Sequence, residues 1–288
     1  MAVPYKAPVK DIVFGYEVID SYNVLNKISA FSDFSEDIVI PTMEECAKFS
    51  EEVLAPINAI GDQQGATIKD GVVTMPEEFV DAYKKFAEAG WASISLPSDI
   101  GGGGMPITLS GGTLEILSTA NLAFGLAPGL SAGAISAINF HGSQEQKDKF
   151  LPKLVSGEWT GTMNLSEPQS GSDLGTITTK AEPQEDGSYK ITGTKVWITF
   201  GEHNMTENII HLVLAKVPGS PEGTKGISMF IVPKYTVNDD GSVGDSNNVS
   251  CISIEEKLGI HASPTCVMEY DGSVGYLVGE ENRGLNYM

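Results

Sequence analysis

Basic residues are scarce in this 288-residue sequence. It has 18 lysines and arginines against 38 aspartates and glutamates, which gives a net charge of -20. Nucleic-acid binding needs a concentrated basic surface that neutralises phosphates, so this balance argues against nucleic acid as the main partner. We interpret the excess of acid as a source of solubility, which still allows an anionic ligand held by a few local groups.

Cysteine is also rare: the chain has Cys46, Cys251 and Cys266, an odd number at wide spacing. This pattern excludes a disulfide framework and a cysteine zinc site, and it fits a reducing compartment such as the cytoplasm. The four histidines show no metal-binding spacing such as H-E-x-x-H. We therefore predict no metal site. His211 is expected to be structural, while His261 lies in a small-residue loop where a ligand contact is conceivable.

Long apolar runs are missing as well. A membrane span needs about 20 apolar residues, and the best candidate segment, 114–140, is interrupted by Asn121, Pro128 and several glycines. The N-terminal stretch M-A-V-P-Y-K-A-P-V-K lacks the apolar region of a secretory signal. We predict no membrane span and no signal peptide.

The first half of the sequence has helical patterns. Three pairs resemble capping boxes at helix starts: Thr42 with Glu45, Thr74 with Glu77, and Ser143 with Gln146. Phe79, Tyr83 and Phe86 follow at helical spacing, and Gly90 and Gly157 are expected helix ends. The small-residue segment from Leu109 to Phe140 predicts closely packed helices.

The second half changes to the period-two pattern of strands. Asp186-Gly187 predicts a hairpin turn before Y-K-I-T and K-V-W-I-T. Further strands are predicted at 208–217, 226–233, 251–258 and 266–271, with an exposed loop over 237–250. We expect an α+β protein, with an N-terminal helical domain over 1–158, an antiparallel β-barrel-like domain over 159–280, and the start of a further helix over 281–288.

Two short motifs suggest other functions. G-L-S-A-G at 129–133 matches the nucleophile elbow of hydrolases, but that elbow needs a preceding strand, and here the context is helical. G-G-G-G at 101–104 invites a phosphate-loop interpretation but lacks the G-K-[S/T] ending. We interpret the first as a helix contact and the second as a flexible loop between helices.

The stretch M-N-L-S-E-P-Q-S-G-S-D at 163–173 is the most informative part of the sequence. Gly171 lets backbone approach a ligand closely, Ser166, Ser170 and Ser172 supply hydroxyls, and exposed amides of such a loop can bind pyrophosphate. Downstream, W-I-T places Trp197 and Thr199 on one face of a strand. The pair would suit a flat heteroaromatic ring such as a flavin. From spacing alone, a glycine turn followed by a buried core tryptophan is the favoured interpretation.

Four segments together resemble the acyl-CoA dehydrogenases. L-S-E-P-Q-S-G-S-D is similar to the signature of that family, and K-V-W-I-T to its second flavin motif. F-H-G-S-Q-E-Q-K-D-K-F-L-P-K-L-V-S-G-E-W resembles the helix before the signature, and L-V-G-E-E-N-R-G-L the exit from the middle domain. E-K-L-G-I-H-A-S-P-T-C-V-M and Y-K-A-P-V-K-D-I most resemble the subgroup of 3-methylmercaptopropionyl-CoA dehydrogenases.

The resemblance implies an FAD cofactor and a set of residues that hold it. Leu165 and Ser166 would lie at the pyrimidine edge, Gly171 and Ser172 near the pyrophosphate, Trp197 beside the isoalloxazine and Thr199 near N5. Met163 would complete the lining, and Ser172 would also contact the CoA moiety. Asn164 and Ser166 depart slightly from the family pattern, without affecting the flavin assignment.

The resemblance also implies the reaction and the partners. The family removes an α-proton and a β-hydride from an acyl-CoA thioester and passes electrons to an acceptor, here expected to be an electron-transfer flavoprotein. Full-length members are homodimers or larger oligomers.

The family's proton-abstracting base is a Glu in a C-terminal helical bundle that this sequence does not contain. We therefore assign no catalytic residue here and expect the 288-residue chain alone to be inactive. Glu167 has no family role as the base. The alternative hypothesis is a noncatalytic flavin-binding or interaction module that needs a helical partner.

Overall fold

A computed structural model of the protein describes residues 4–288, so the first three residues of the N-terminal stretch lie outside the described part. The longer helices carry the helical half of the chain. They are α1 (Val9–Val18), α2 (Ser21–Leu25), α3 (Glu36–Phe49), α4 (Ala55–Gln64), α5 (Glu77–Glu88), α6 (Ile107–Ala120), α7 (Leu122–His141) and α8 (Gln144–Ser156). A π-helical turn, Ser50–Leu54, joins α3 to α4, and short 3-10 turns fill several of the connections.

Strands dominate the remainder. A small hairpin, β1 (Thr67–Lys69) and β2 (Val72–Thr74), interrupts the helices. The others are β3 (Trp159–Asn164), β4 (Lys180–Pro183), β5 (Tyr189–Thr199), β6 (Asn208–Lys216), β7 (Ile227–Pro233), β8 (Tyr235–Val237), β9 (Val243–Ser246), β10 (Val249–Ile254) and β11 (Thr265–Leu277). Short helix α9 (Gly284–Tyr287) follows them.

Five of these strands close into a barrel. β11 pairs with β5, β5 with β4, β4 with β6, β6 with β7, and β7 returns to β11 through Tyr276 and Leu277. Closure leaves no free edge in this ring. The predicted order, helices and then a barrel-like sheet, is confirmed. The sheet is not purely antiparallel, because β6 pairs in parallel with both β3 and β4.

Helix α7 supports the barrel from outside. Ala134 and Ile138 on its buried face join Trp159 of β3 in one core, and a side chain at Gly161 would overlap Ala134. This close approach explains the small residues of the segment. G-L-S-A-G lies within α7, where Ser131 is buried and donates to Ala127, so it is not a nucleophile elbow.

Helix α7 runs unbroken through Pro128 and the glycines that interrupt the apolar sequence of this segment. Helix α7 has 20 residues and a mean hydropathy of 1.4, which is enough to cross a membrane by length and composition. Pro128 and the glycines do not break it, because tertiary packing supports the helix through them. Half of this apolar window is buried in the protein, as in a core helix.

Two helix starts were misplaced. Thr42 lies inside α3, which begins at Glu36, and its hydroxyl donates to the Ile38 carbonyl at 2.7 Å. Helix α5 does begin at Glu77, but after Pro76, with no side-chain cap from Thr74. The Ser143–Gln146 capping box is present at α8 as predicted, and Gly157 ends that helix with φ 80°.

The sheet confirms one local prediction and corrects another. The turn at Asp186-Gly187 joins β4 to β5 as expected. The segment 237–250 is not a plain loop, because it carries strand β9, paired with β8, and the start of β10. A four-residue strand beside turn residues gives too short an alternation to be recognised in sequence.

Candidate functional site

The signature loop, which we define as residues 165–179, leaves the end of β3 and lies beside the end of β5. Val196 donates its backbone N–H to the Ser166 carbonyl at 2.9 Å. An ideal Cβ at Gly171 would lie 3.8 Å from Cζ3 of Trp197. The two stretches that the sequence analysis paired are therefore in direct contact.

Several donors of the signature loop have no partner among residues 4–288. The backbone N–H groups of Ser166, Gly171 and Ser172 make no hydrogen bond there, and neither do the hydroxyls of Ser166 and Ser172. Gly171 and Ser172 are exposed. Consecutive exposed amides form a concave binding place for an anion. Ser170 differs, since it is buried and its hydroxyl donates to the Asp173 carbonyl at 2.7 Å.

The backbone conformation at Trp197 directs its side chain towards solvent. The pairing of β5 with β11 shifts register between Lys195 and Ile198, which leaves Trp197 in a β-bulge with φ 59°. A bulky residue in this left-handed region is strained by roughly 1–2 kcal/mol, and bulges often redirect a side chain beside a functional site. Its ring is 56% exposed. The alternative of a buried core tryptophan is therefore wrong.

The remaining predicted residues surround this contact. Thr199 is half-buried at the end of β5, opposite Thr265 of β11. Met163 and Leu165 are half-buried, and Met163 approaches helix α7 so that a Cβ at Gly133 would lie 3.9 Å from its Cε. The residues form an open ledge. The described cavities of about 380, 590 and 690 Å³ contain none of them.

Glu167 forms the buried centre of the signature loop. It is 1% exposed and pairs with Lys195, which is fully buried, at 3.0 Å. Burial pushes the pKa of Glu167 upward, but Lys195 and the donors on Thr178 and Thr179 outweigh it and lower the pKa to about 2. Burial lowers the pKa of Lys195 to about 8, against the opposing effect of Glu167. Both groups are charged at neutral pH.

A buried polar network lies just before the loop. Tyr270 donates to Asn164 at 2.9 Å, Asn164 donates to Thr162 at 2.8 Å, and Thr162 bonds Nδ1 of His211 at 2.7 Å. Burial lowers the pKa of His211 to about 3, so its ring is neutral. The structural role predicted for His211 agrees with this burial. Asn164, which departs from the family pattern, thus links β3 to Tyr270 of β11.

His261 contacts protein groups on both sides. Its Nδ1 lies 2.8 Å from the Asp62 carbonyl and 3.0 Å from the Asp62 carboxylate, and its Nε2 lies 2.8 Å from the Lys257 carbonyl. Both ring nitrogens are therefore already engaged. No cluster of metal-binding side chains occurs within residues 4–288.

Sequence reasoning missed Lys195 as part of the site. The sequence contained one signal for it. Side chains alternate along a strand, so Lys195 lies on the same face of β5 as Ile191, which is buried. An inward lysine needs a carboxylate partner, and Glu167 was the acid in the neighbouring motif.

Both halves of the chain match models of one protein family. The family model described as acyl-CoA dehydrogenase, N-terminal domain, matches residues 41–158, and the model of the middle domain matches residues 162–273. A 3-methylmercaptopropionyl-CoA dehydrogenase of Ruegeria pomeroyi is 47% identical over 99% of this chain and 48% of its own length. A butyryl-CoA dehydrogenase of Syntrophomonas wolfei is 38% identical over 96% of this chain and 46% of its own length.

A solved structure gives the same result. The crystal structure of an acyl-CoA dehydrogenase complexed with FAD from Bacillus anthracis has a TM-score of 0.71 and 27% identity. The match covers 89% of this chain and 39% of that one. The chain spans about half the length of the curated relatives it matches.

Proposed function

The chain belongs to the acyl-CoA dehydrogenase family, and from that premise we propose that it provides the flavin-holding part of an enzyme that oxidises an acyl-CoA thioester between its α and β carbons. The unpaired amides of Gly171 and Ser172 beside the exposed ring of Trp197 are the observation that supports this most directly.

These residues fit FAD in their chemistry. Backbone amides at Gly171 and Ser172 offer donors to a pyrophosphate without any basic side chain, which suits a chain of net charge -20. Trp197 offers a flat aromatic face. Met163 and Leu165 line the flavin beside it, and the hydroxyls of Ser166 and Thr199 offer hydrogen bonds to its polar edge.

When bound, FAD supplies the two-electron acceptor for the hydride that leaves the β-carbon. The chain's own contribution is to fix the plane and the polar edge of that acceptor. Orientation of this kind contributes to rate because the reacting atoms no longer have to find their alignment.

Glu167 does not serve as the base in this proposal. Its carboxylate is buried, paired with Lys195 and held at a pKa of about 2, whereas a general base works best with a pKa near the working pH. The α-proton is instead taken by the Glu of the family's C-terminal helical domain.

We propose a short acyl-CoA as the substrate, with Ser172 contacting the CoA portion. The two curated relatives named above act on 3-methylmercaptopropionyl-CoA and butyryl-CoA according to their names. The electron acceptor would be an electron-transfer flavoprotein, the assembled enzyme a homo-oligomer, and the compartment the cytoplasm. The three cysteines support a reducing compartment, since each is buried and unpaired in the described chain.

The domain division belongs to the same proposal. Residues 1–158 would form the helical domain, 159–280 the flavin-binding β-domain, and 281–288 the entry to the C-terminal domain. The change from helix α8 to strand β3 at Ser156 and Trp159 supports the first boundary.

Titration of the purified chain with FAD, followed by addition of 3-methylmercaptopropionyl-CoA or butyryl-CoA without oxygen, tests the proposal. With the chain alone we expect one FAD per chain and no loss of the oxidised flavin absorbance when the thioester is added. Flavin reduction should require the C-terminal domain of the Ruegeria relative, added separately. Failure to bind FAD would refute the flavin site, and reduction by the chain alone would refute the assignment of the base.

A noncatalytic interaction module is the second candidate. It is favoured by large apolar side chains that lie exposed on α6 and α7, including Ile107 at 82% and Phe140 at 74%. In that case the added C-terminal domain would bind the chain without restoring flavin reduction.

A further inference from the structure

A buried ion pair connects the two stretches of the candidate site. Lys195 lies in β5 two residues before Trp197, and Glu167 lies in the signature loop directly after Ser166. Burying two charges costs several kcal/mol unless geometry and further hydrogen bonds compensate. The further hydrogen bonds of Glu167 and Lys195 therefore determine whether the pair is stable in this buried position.

Glu167 closes the signature loop on itself. Both carboxylate oxygens accept hydrogen bonds from donors far along the loop: Thr178 N at 2.6 Å, Thr178 Oγ1 at 2.9 Å, Thr179 N at 3.0 Å, Thr179 Oγ1 at 2.5 Å and Gln169 Nε2 at 2.7 Å. Charge-assisted hydrogen bonds of this kind are stronger than neutral ones. The segment 170–177, which is exposed at Gly171 and Ser172, is thus held at both of its ends by one carboxylate.

Lys195 joins this closed loop to β5. Its Nζ donates to the Leu165 carbonyl at 2.9 Å as well as to Glu167. The next residue, Val196, donates its N–H to the next carbonyl, that of Ser166, at 2.9 Å. Two consecutive residues of β5 therefore bind two consecutive carbonyls of the loop, immediately before the bulge that carries Trp197.

We propose that Lys195 and Glu167 are positioning residues that fix Ser166 and Gly171 relative to the ring of Trp197, so that the ligand-facing amides and the aromatic face form one preorganised surface. The identity of the ligand as FAD rests on the proposed function. The joining of loop and strand rests on the hydrogen bonds alone.

An ion pair with hydrogen bonds in fixed directions positions the signature loop against β5 better than apolar side chains would. Apolar side chains would fill the space, but they would accept several registers of the loop against the strand. The Lys195 ammonium has three donors, and two of its hydrogen bonds go to the Leu165 carbonyl at 2.9 Å and the Glu167 carboxylate at 3.0 Å. Sites whose supporting groups are locked in this way hold their ligand contacts within narrow limits.

Lys195→Met tests the proposal, because it keeps much of the side-chain volume and removes the ammonium. Lys234→Met is the matched control, since Lys234 forms the other largely buried ion pair, with Glu202 at side-chain exposures of 17% and 3%. Hydrogen exchange measured without flavin should show amides of Val196, Thr178 and Thr179 exchanging at least tenfold faster in Lys195→Met. In Lys234→Met these amides should keep the wild-type rates.

Glu167→Gln gives the same readout with a smaller change of shape, and it decides the question if Lys195→Met does not fold. Faster exchange confined to 165–179 and 195–199 supports the proposal. Unchanged exchange there, or faster exchange spread over the whole barrel as in a general loss of stability, overturns it.

A flavin titration separates this inference from the proposed function. FAD should bind Lys195→Met at least tenfold more weakly than wild type, and Lys234→Met within twofold of wild type. Equal FAD binding by Lys195→Met and wild type would overturn the positioning role. If wild type binds no FAD, the proposed function fails, while the exchange rates still decide whether the pair joins loop and strand.

Discussion

Two glycine-containing loops of this chain each suggest phosphate binding from sequence, and they differ in the hydrogen bonds of their backbone donors. In the first, Gly102, Gly103 and Gly104 donate their N–H groups to the carbonyls of Pro97, Ser93 and Leu96. In the signature loop, the amides of Gly171 and Ser172 have no partner among residues 4–288. The donors of the first loop are therefore satisfied within the fold, whereas those of the second are the ones we propose for the pyrophosphate.

The difference that matters for binding lies in the hydrogen bonds of the backbone amides. Every buried amide needs a partner, so a loop folded tightly against the backbone of residues 93–97 has nothing left to bind phosphate. The prediction of a loop at 101–104 is confirmed, but it is not flexible in the sense predicted, because its four amides donate to four carbonyls of the preceding backbone. Glycine is needed there for close packing.

The acid behaviour of Glu167 gives the largest expected effect. Because its pKa is lowered to about 2 from an ordinary 4.5, its contribution to stability is present above about pH 4.5 and is lost as the pH falls towards 2. The shift corresponds to a free energy on the order of 3 kcal/mol. Urea unfolding of wild type and Glu167→Gln across this range should show their stability difference shrinking. A difference that stays constant with pH would contradict the account.

Alanine at each of two glycines tests the comparison of the loops. A Cβ at Gly102 would overlap the Leu96 carbonyl, whereas one at Gly171 would meet Trp197 Cζ3 at an ordinary 3.8 Å. Gly102→Ala should lower the free energy of unfolding by roughly 2–3 kcal/mol and leave FAD affinity of the folded protein unchanged.

Gly171→Ala should give the opposite result. Stability should stay within about 1 kcal/mol of wild type, and FAD should bind several-fold more weakly because the methyl group narrows the approach to the amides. Urea unfolding and FAD titration of both variants measure the two effects. Equal effects of the two substitutions on FAD affinity would show that the loops do not differ as described.

Trp197→Ala tests the aromatic face. Its ring is 56% exposed, so the melting temperature should change little, while loss of an aromatic contact of about 1 kcal/mol should weaken FAD binding several-fold to tenfold. Phe140→Ala is the control, since Phe140 is 74% exposed and belongs to neither motif. Equal FAD affinity in Trp197→Ala and wild type would remove Trp197 from the site.

The smallest expected effect concerns His261. Both ring nitrogens face carbonyl oxygens, of Asp62 and Lys257, and these hydrogen bonds raise the pKa of His261. A raised pKa means that the stabilising contact is fully present at acidic pH and is lost as the pH rises through the folded-state value. The protection factors of the amides in residues 257–264, which correct for the base catalysis of exchange, should fall over that rise in wild type and stay constant in His261→Gln. The same dependence of exchange protection on pH in wild type and in His261→Gln would show that the His261 hydrogen bonds do not contribute to it.

Local signals predicted much of the fold. Ser143 and Gln146 gave the start of α8, and Asp186-Gly187 gave the β4–β5 turn, because these residues act through bonds to their immediate neighbours. The helix start predicted at Thr42 was wrong, because its hydroxyl donates to the Ile38 carbonyl within α3, which begins at Glu36. Such back-bonding uses the same residue types as a cap.

The site was less accessible from sequence. The resemblance identified the ledge residues, but the bulge that turns Trp197 outward depends on register against β11, and the pairing of Lys195 with Glu167 depends on a loop closing over 28 residues of sequence separation. Both arise from tertiary contacts that no local pattern records. The one local clue was the position of Lys195 on the buried face of its strand, which follows from the alternation of side chains.

Hydrogen exchange of the chain with and without FAD is the most direct test of the central claim. The account predicts slower exchange on FAD binding at 163–173 and 195–199, with no change at 98–105. Slower exchange at 98–105, or FAD binding that leaves 163–173 and 195–199 unaffected, would contradict it.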